Sequence, residues 1–328
     1  MSLDIGIDFS TARMKVYGRD EGIVLDEPLV VAFDKDTKVV RSVGKEAAAL
    51  EGRTSGNIIT SYLFENNLML SRKIVGEVIN YIVKKAIGKI KLIHPRMCIA
   101  VPVCCTKEVK QIIKDCAYEA GAREVYIFDG PVAIAIGAKI NIKNTPGNII
   151  VNIGERSTDI EVVSFGKIIN KLELKTSEKT VDEKLSAHMI DKYGLLVGNT
   201  GIHEVKNEFG DLSSYAEEVD IIIKGRRLSD GLLGEAVINS REIKDIFMEV
   251  IDDISSEIKK TAGKINDKVK DDILARGIIL TGKGVKFPGF ERVMEEKTGI
   301  QTMIPDNPDN LAVTGTGIVL EYTGGKEV

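Results

Sequence analysis

Two stretches of this chain repeat one pattern, and that repetition constrains the fold more than any other feature. Residues 4–18 read DIGIDFSTARMKVYG, and residues 148–169 read NIIVNIGERSTDIEVVSFGKII. Each is an apolar strand, then Asp or Asn, two further residues, a short loop of small and polar side chains, and a returning strand. Both are therefore predicted β-hairpins, each opening one half of the chain. This is consistent with a duplicated fold whose two hairpin loops face each other across a cleft, although hairpins are common enough for two to look alike by chance. Such loops hold a phosphate when small residues let backbone N–H groups approach it. The second loop instead carries Glu155 and Arg156 at its tip. A third loop, Leu280-Thr281-Gly282-Lys283-Gly284, ends another apolar strand; glycine there permits close approach of a nucleotide or simply makes a turn.

Strand-like alternation covers 3–9, 13–18, 22–33, 97–103, 124–129, 148–153, 159–175 and 276–281. Helical periodicity covers 71–87, 106–120, 131–138, 180–193, 239–265, 289–298 and 310–322. Strands alternating with helices predict α/β layers. The 328 residues suit two domains better than one, and with no low-complexity or Pro-rich linker the lobes are expected to be packed together and crossed more than once by the chain. A net charge of −4 and a pI near 5.7, with scattered basic residues, leave no electrostatic footprint for nucleic acid. Cys98, Cys104, Cys105 and Cys116 include an adjacent pair but no C-x-x-C, and His94, His188 and His203 are the only histidines, so a zinc site is not expected. The cysteines read as small buried apolar side chains in a reducing compartment. The first strand begins almost at once, and no apolar run approaches the ~18 residues of a membrane span, so a cytoplasmic protein is expected.

With the three loops placed, the sequence resembles the MreB family of bacterial actins, within the superfamily of actins, sugar kinases and heat-shock chaperones. The resemblance is carried by DIGIDFSTA at 4–12, EGIVLDEPLVVA at 21–32, GRTSGNI at 52–58, VPVCCTKEVKQIIKDCAYEAGAREVYIF at 101–128, GPVAIAIGA at 130–138, RGIILTGKG at 276–284 and EKTGI at 296–300. It implies an α/β, actin-like fold, a duplicated ribonuclease-H-like architecture with two lobes and four subdomains around a central cleft. Subdomain IA would take 1–33, 71–143 and 310–328, IB 34–70, IIA 144–180 and 239–309, and IIB 181–238. It also implies assembly into protofilaments, attachment to the inner membrane surface from the cytoplasm, and control of cell shape with wall-synthesis or shape-determining membrane proteins.

The resemblance further implies ATP and Mg²⁺ between the two hairpins, with phosphates on backbone amides and carboxylates ordering the metal's water. Asp8 matches the first such carboxylate and would act on the metal through water. Thr11 and Ala12 fit the first phosphate loop, but Ser10 stands where the family has glycine and Arg13 where it has asparagine. In the second loop the family reads Asp-Ile-Gly-Gly-Gly-Thr-Thr, against Asn152-Ile153-Gly154-Glu155-Arg156-Ser157-Thr158 here. The family's catalytic glutamate falls on Gly130. Asp129 is not expected to replace it, because adjacent strand residues point to opposite faces. Ser177-Glu178-Lys179 replaces a small, glycine and acidic turn facing the nucleotide. Lys206 is kept on the candidate adenine-binding helix, His203 replaces a glutamate, and Lys283 interrupts the run Gly282–Gly284.

Five elements of one site have thus changed. A carboxylate about 4 Å from a phosphate charge costs about 4 kcal/mol at an effective dielectric near 20, and both Glu155 and Glu178 would lie near the anion. Arg156 and Lys283 could offset part of that. Loss of a positioned water-activating carboxylate slows hydrolysis by about 10²–10⁴-fold. The expectation is impaired or absent hydrolysis, with Glu155, Arg156, Glu178 and Lys283 pairing across the cleft to hold the lobes together. Leu92 and Ile93, flanked by Lys89, Lys91 and Arg96, align with a loop that enters the membrane in some relatives, and suit an anionic surface. A metabolic kinase would need a substrate-facing Asp that cannot be placed, and a chaperone a further substrate-binding domain. The alternative with most support is a non-polymerising regulator or scaffold of the same family.

Overall fold

The computed structural model describes residues 4–54, 56–88, 94–141, 147–213 and 217–322. The chain forms two compact units, one of residues 1–144 and 309–328 and one of residues 145–308, so it leaves the first unit and returns to it.

In chain order the first unit contains β1 (Ile5–Phe9), β2 (Arg13–Gly18), β3 (Gly22–Pro28), β4 (Val30–Asp34), β5 (Val40–Val43), α1 (Lys45–Ala48), β6 (Ile58–Tyr62), α2 (Arg72–Ala86), β7 (Arg96–Val101), α3 (Lys107–Glu119), β8 (Glu124–Asp129) and α4 (Gly130–Gly137). The second contains β9 (Asn148–Ile153), β10 (Thr158–Ser164), β11 (Lys167–Leu174), α5 (Glu178–Tyr193), β12 (Leu195–Leu196), α6 (Asn199–Phe209), β13 (Asp220–Arg227), β14 (Leu233–Asn239), α7 (Ser240–Gly263), α8 (Asp267–Arg276), β15 (Ile278–Thr281), α9 (Phe290–Thr298) and β16 (Thr302–Met303). Helix α10 (Leu311–Tyr322) returns to the first unit.

The two five-stranded sheets have the same construction. Their orders are β3-β2-β1-β7-β8 and β11-β10-β9-β15-β16. In each, an antiparallel meander of three strands is extended by two parallel strands. The two hairpins singled out in the sequence are the first two strands of these sheets, so the repeated pattern is a repeated fold. Strand β7 is buried at every residue, as a parallel strand covered on both faces requires. Three-stranded sheets β5-β4-β6 and β12-β13-β14 complete the two units.

Several expected boundaries differ from the structure. The run 22–33 is two strands: Leu29 leaves the pairing, donates its N–H to the Ala12 carbonyl at 2.8 Å, and accepts from Leu63 N–H at 3.0 Å. The run 159–175 is a hairpin turned at Phe165-Gly166, both with positive φ. Gly130 is not a strand residue but the first residue of α4, so the opposite-face argument about Asp129 does not apply there. Short or weakly patterned elements, among them β5, β6, β13 and β14, were not anticipated, and α6 was expected only through the resemblance, as the helix that carries His203 and Lys206.

Helices form where caps and apolar stripes coincide. Thr106 caps α3, accepting from Val109 N–H, while Asn239 and Glu242 form a capping box at α7, whose buried stripe runs through Ile243, Phe247, Val250, Ile254 and Ile258. Helices α4 and α10 cross at Gly137 and Gly315, where a Cβ on either would overlap the backbone carbonyl of Leu311 or Ala133. Asp4, buried at the start of β1, accepts from Arg96 N–H at 2.9 Å and from its guanidinium at 2.9 and 2.7 Å. Arg96 also donates to the Leu320 carbonyl at 3.2 Å, tying β1, β7 and α10 together at one point.

Glu242 joins α5 to α7. It accepts from Lys192 Nζ at 2.7 Å and Tyr193 OH at 2.8 Å, and meets His188 Nε2 at 2.5 Å. Burial alone would raise its pKa, but the hydrogen bonds from Lys192, His188 and Tyr193 outweigh it and bring the carboxyl from 4.5 down to about 2. A carboxyl whose folded pKa is depressed adds stability above its unfolded pKa, and that stability is lost as pH falls through the folded value. Glu242→Gln is expected to cost about 2–3 kcal/mol at pH 7, with the difference from wild type closing between pH 4.5 and about 2. Urea denaturation across that range measures it, and a gap independent of pH would contradict it.

Candidate functional site

The predicted site residues fall on both units, and each half is a hairpin loop with the groups that close it. In the first unit the β1–β2 turn is fastened by Ser10, whose N–H and Oγ both donate to the Arg13 carbonyl, at 3.0 and 3.1 Å, while Arg13 N–H donates back to Ser10 Oγ at 3.0 Å. The Arg13 guanidinium is paired with Asp26 at 2.6 Å. Thus Ser10, where the resemblance implies glycine, is spent on closing the turn, and the Arg13 side chain, where it implies asparagine, on pairing with Asp26. Thr11 and Ala12 form its tip, Ala12 buried.

Asp8 stands in a row that sequence reasoning missed. The register places Lys15 opposite Asp8 and Asp26 opposite Lys15, so three charged side chains lie abreast on one face of β1, β2 and β3. Lys15 is buried, and its Nζ donates to the Asp309 carbonyl at 2.6 Å and Asn310 Oδ1 at 2.7 Å. Burial, partly opposed by Lys15 and reinforced by Asp26, pushes the Asp8 carboxyl up to about 7. The counterpart row in the second unit is Asn152, Asp159 and Glu173. It has no base, and burial together with the Glu173 charge raises the Asp159 pKa. Period-2 spacing around each loop was the available signal for both rows, but it becomes visible only once the strands are paired.

At the end of β8, Asp129 precedes α4 and is ion-paired with Lys110 of α3. Gly130 follows, and a Cβ there would stand 3.5 Å from the Val101 carbonyl, an ordinary contact. The position has room for a side chain and lacks one.

In the second unit the β9–β10 loop is docked on the start of α5. Gly154 N–H donates to the Ser157 carbonyl at 2.9 Å, closing the loop. The first-turn N–H groups of Glu178 and Lys179 donate to the carbonyls of Gly154 and Glu155, each at 3.1 Å, and Ser177 Oγ to the Glu155 carbonyl at 3.1 Å. These amides are the orphan donors that make a helix N-terminus attractive to an anion. Here loop carbonyls occupy them. Ser157 and Thr158 are buried behind the loop, and Thr158 Oγ1 has no hydrogen-bond partner.

Lys206 is the centre of this half. Fully buried on α6, its Nζ lies 3.0 Å from Glu178 Oε1 and 2.9 and 3.0 Å from the two Asp182 carboxylate oxygens. Glu178 is buried with it, and its Oε2 has no partner. His203 Nδ1 stands 3.7 Å from Asp182 Oδ2 at the exposed side of the cluster. Lys283 Nζ is 3.7 Å from Glu178 Oε1. Its neighbours Gly282 and Gly284 pack on Ile153; Gly282, at φ +92°, has no space for a Cβ between the Ile153 carbonyl and Asn152 Oδ1. Glu155, Arg156, Glu178 and Lys283 all belong to this one unit, so pairing among them cannot hold the two units together, and Lys283 meets Glu178 within it. Its main base is Lys206, which sequence reasoning kept only as a nucleotide contact. Leu92 and Ile93 lie outside the described residues.

Two sheets of one construction, each headed by a hairpin, are the duplication that the sequence resemblance implied, and comparison with known proteins decides the family. The profile described as MreB/Mbl protein matches residues 2–327. The chain is 30% identical over 318 residues to the cell shape-determining protein Mbl of Bacillus subtilis, covering 97% of this chain and 96% of that one. The chain belongs to the MreB/Mbl family. Against the cell shape-determining protein MreB of Escherichia coli this family member is 30% identical over 325 residues, covering 98% and 94% of the two chains. Its fold is actin-like: it superposes on MreB5 of Spiroplasma citri bound to ADP with a TM-score of 0.83 at 25% identity, covering 97% and 96% of the chains. The MamK double helical filament shares the fold, with a TM-score of 0.74 at 17% identity over 98% of this chain and 99% of that one. Among the described residues no helix is long and apolar enough to cross a membrane, and no cluster of His, Cys, Asp and Glu is arranged to hold a metal.

Proposed function

We propose that this MreB/Mbl-family chain is a filament-forming, actin-like cell-shape protein of the cytoplasmic face of the inner membrane, with a nucleotide site that hydrolyses ATP slowly or not at all. The observation that carries the second part is the internal neutralisation of Lys206 by Glu178 and Asp182. A cation that would meet a ligand is already matched by two carboxylates, and the amides of α5 that would meet an anion already hold carbonyls. Glu178 adds a negative charge where relatives have glycine. These residues do not fit Mg-ATP held as the family holds it, and Gly130 supplies no base to activate water. The known structure of MreB5 bound to ADP makes ADP and ATP the ligands to test.

Self-association is supported by an exposed apolar face on the β12-β13-β14 sheet. Ile222 and Val237 are register partners, 64% and 56% exposed, and Leu233, 86% exposed, lies on the same face beyond the Lys224–Glu235 ion pair. Side chains this open on a sheet face mark a surface built for contact. The four subdomains with the boundaries given above, a membrane contact through Leu92 and Ile93, and partners among wall-synthesis proteins belong to the same reading.

Sedimentation and electron microscopy, with and without Mg-ATP and anionic vesicles, test it. Filaments whose yield is unchanged by Mg-ATP are the expected result. A chain that stays in the supernatant under every condition would favour the regulatory, non-polymerising alternative.

A further inference from the structure

The adjacent cysteines were expected to be buried packing residues. That holds for Cys98 and Cys116, both buried, and fails for Cys104, which is exposed, with Cys105 half-buried beside it. They occupy the turn between β7 and α3, closed by Cys105 N–H donating to the Pro102 carbonyl at 3.0 Å, immediately before the capping residue Thr106. The two thiols hydrogen-bond to each other, and that bond, with burial, raises the pKa of Cys105. Lys110 and Asp129, the ion pair that links α3 to the start of α4, are charges that act on Cys105.

Packing accounts for only half of this pair: Cys105 is half-buried against the core of the first unit, whereas Cys104 is exposed. We propose that Cys104 and Cys105 form a vicinal dithiol site that closes to an intrachain disulfide under a hydroperoxide oxidant, beside Asp129 and Gly130. Accessibility sets the order of events. Cys104 Sγ attacks a peroxide oxygen, the O–O bond breaks, and the departing hydroxide takes the thiol proton and leaves as water; Cys104 is now a sulfenic acid. Cys105 Sγ then attacks Cys104 Sγ, the S–O bond breaks, and a second water leaves with the Cys105 proton. Two thiols have lost two hydrogens and two electrons, and one hydrogen peroxide has become two waters. The raised pKa of Cys105 keeps it from reacting first and leaves the initial attack to the exposed Cys104. The inference is independent of whether nucleotide binds.

The test uses the full chain, brief exposure to hydrogen peroxide, quenching with N-ethylmaleimide, and mass spectrometry of the tryptic peptide 97–107, which holds Cys98, Cys104 and Cys105. The expected product lacks two hydrogens, carries one maleimide on Cys98, fragments with the bridge between 104 and 105, and is restored by dithiothreitol. Cys104→Ser, at an exposed position, is expected to abolish it. Cys105→Ser is expected to leave a sulfenic acid on Cys104 that dimedone traps. Maleimide on all three thiols after peroxide, a disulfide between two chains, or oxidation confined to Cys98 would overturn the proposal.

Discussion

Replacing Lys206 with methionine is expected to lower the unfolding free energy by about 3 kcal/mol, the low end of the cost of breaking a buried pair, because it leaves the buried Glu178 carboxylate with only Lys283, half-exposed and 3.7 Å away, to offset it. Glu178 is 4% exposed and one of its oxygens is already unpartnered, so it cannot turn to water when Lys206 is removed. Asp182, more open, can. The loss should therefore come from Glu178, and the double replacement Lys206→Met with Glu178→Leu should recover much of it, as buried ion pairs exchanged for apolar side chains often do. Urea unfolding of the three proteins separates the cases. A loss below about 1 kcal/mol for Lys206→Met would mean that the charge cluster is not what fixes α6 against α5.

Much of the fold was legible in the sequence because its long elements carry strong periodicity. The apolar stripe of α7 and the alternation of β1 and β2 read directly, and the repeated hairpin pattern anticipated two sheets of one topology. What was missed is short or half-exposed. Strands β13 and β14 alternate Ile221 and Ile223 against an outer face that holds Ile222 and Val237, so their pattern is apolar on both sides and has no clear period. The break at Leu29 depends on hydrogen bonds to Ala12 and Leu63, which are invisible until the chain is folded.

At the site, the positions of the three loops followed from glycine and small residues after apolar strands. The destination of each charge did not. Glu178 and Lys206 are 28 positions apart and meet only because α5 packs against α6. Ser10, read as a departure from a phosphate loop, closes its turn, and Arg13, read likewise, pairs with Asp26 on β3. The rows Asp8–Lys15–Asp26 and Asn152–Asp159–Glu173 were spread over three strands each and needed the register to be seen.

The largest functional effect is expected from Glu178→Gly, which puts back the glycine that the family resemblance implies for this turn and leaves Lys206 matched by Asp182 alone. A full carboxylate charge about 4 Å from a phosphate costs about 4 kcal/mol at a dielectric near 20. With Lys283 already offsetting part of it, the net gain in Mg-ATP affinity is expected to be about 10–100-fold, or 1.4–2.7 kcal/mol. Hydrolysis should stay slow in the variant, because position 130 still lacks a carboxylate. Isothermal titration calorimetry of the unaltered chain with Mg-ATP tests the central claim most directly. The predicted result is no measurable heat of binding, or binding weaker than about 0.1 mM, with a clear isotherm appearing in Glu178→Gly. Micromolar binding by the unaltered chain, unimproved by that replacement, would contradict it.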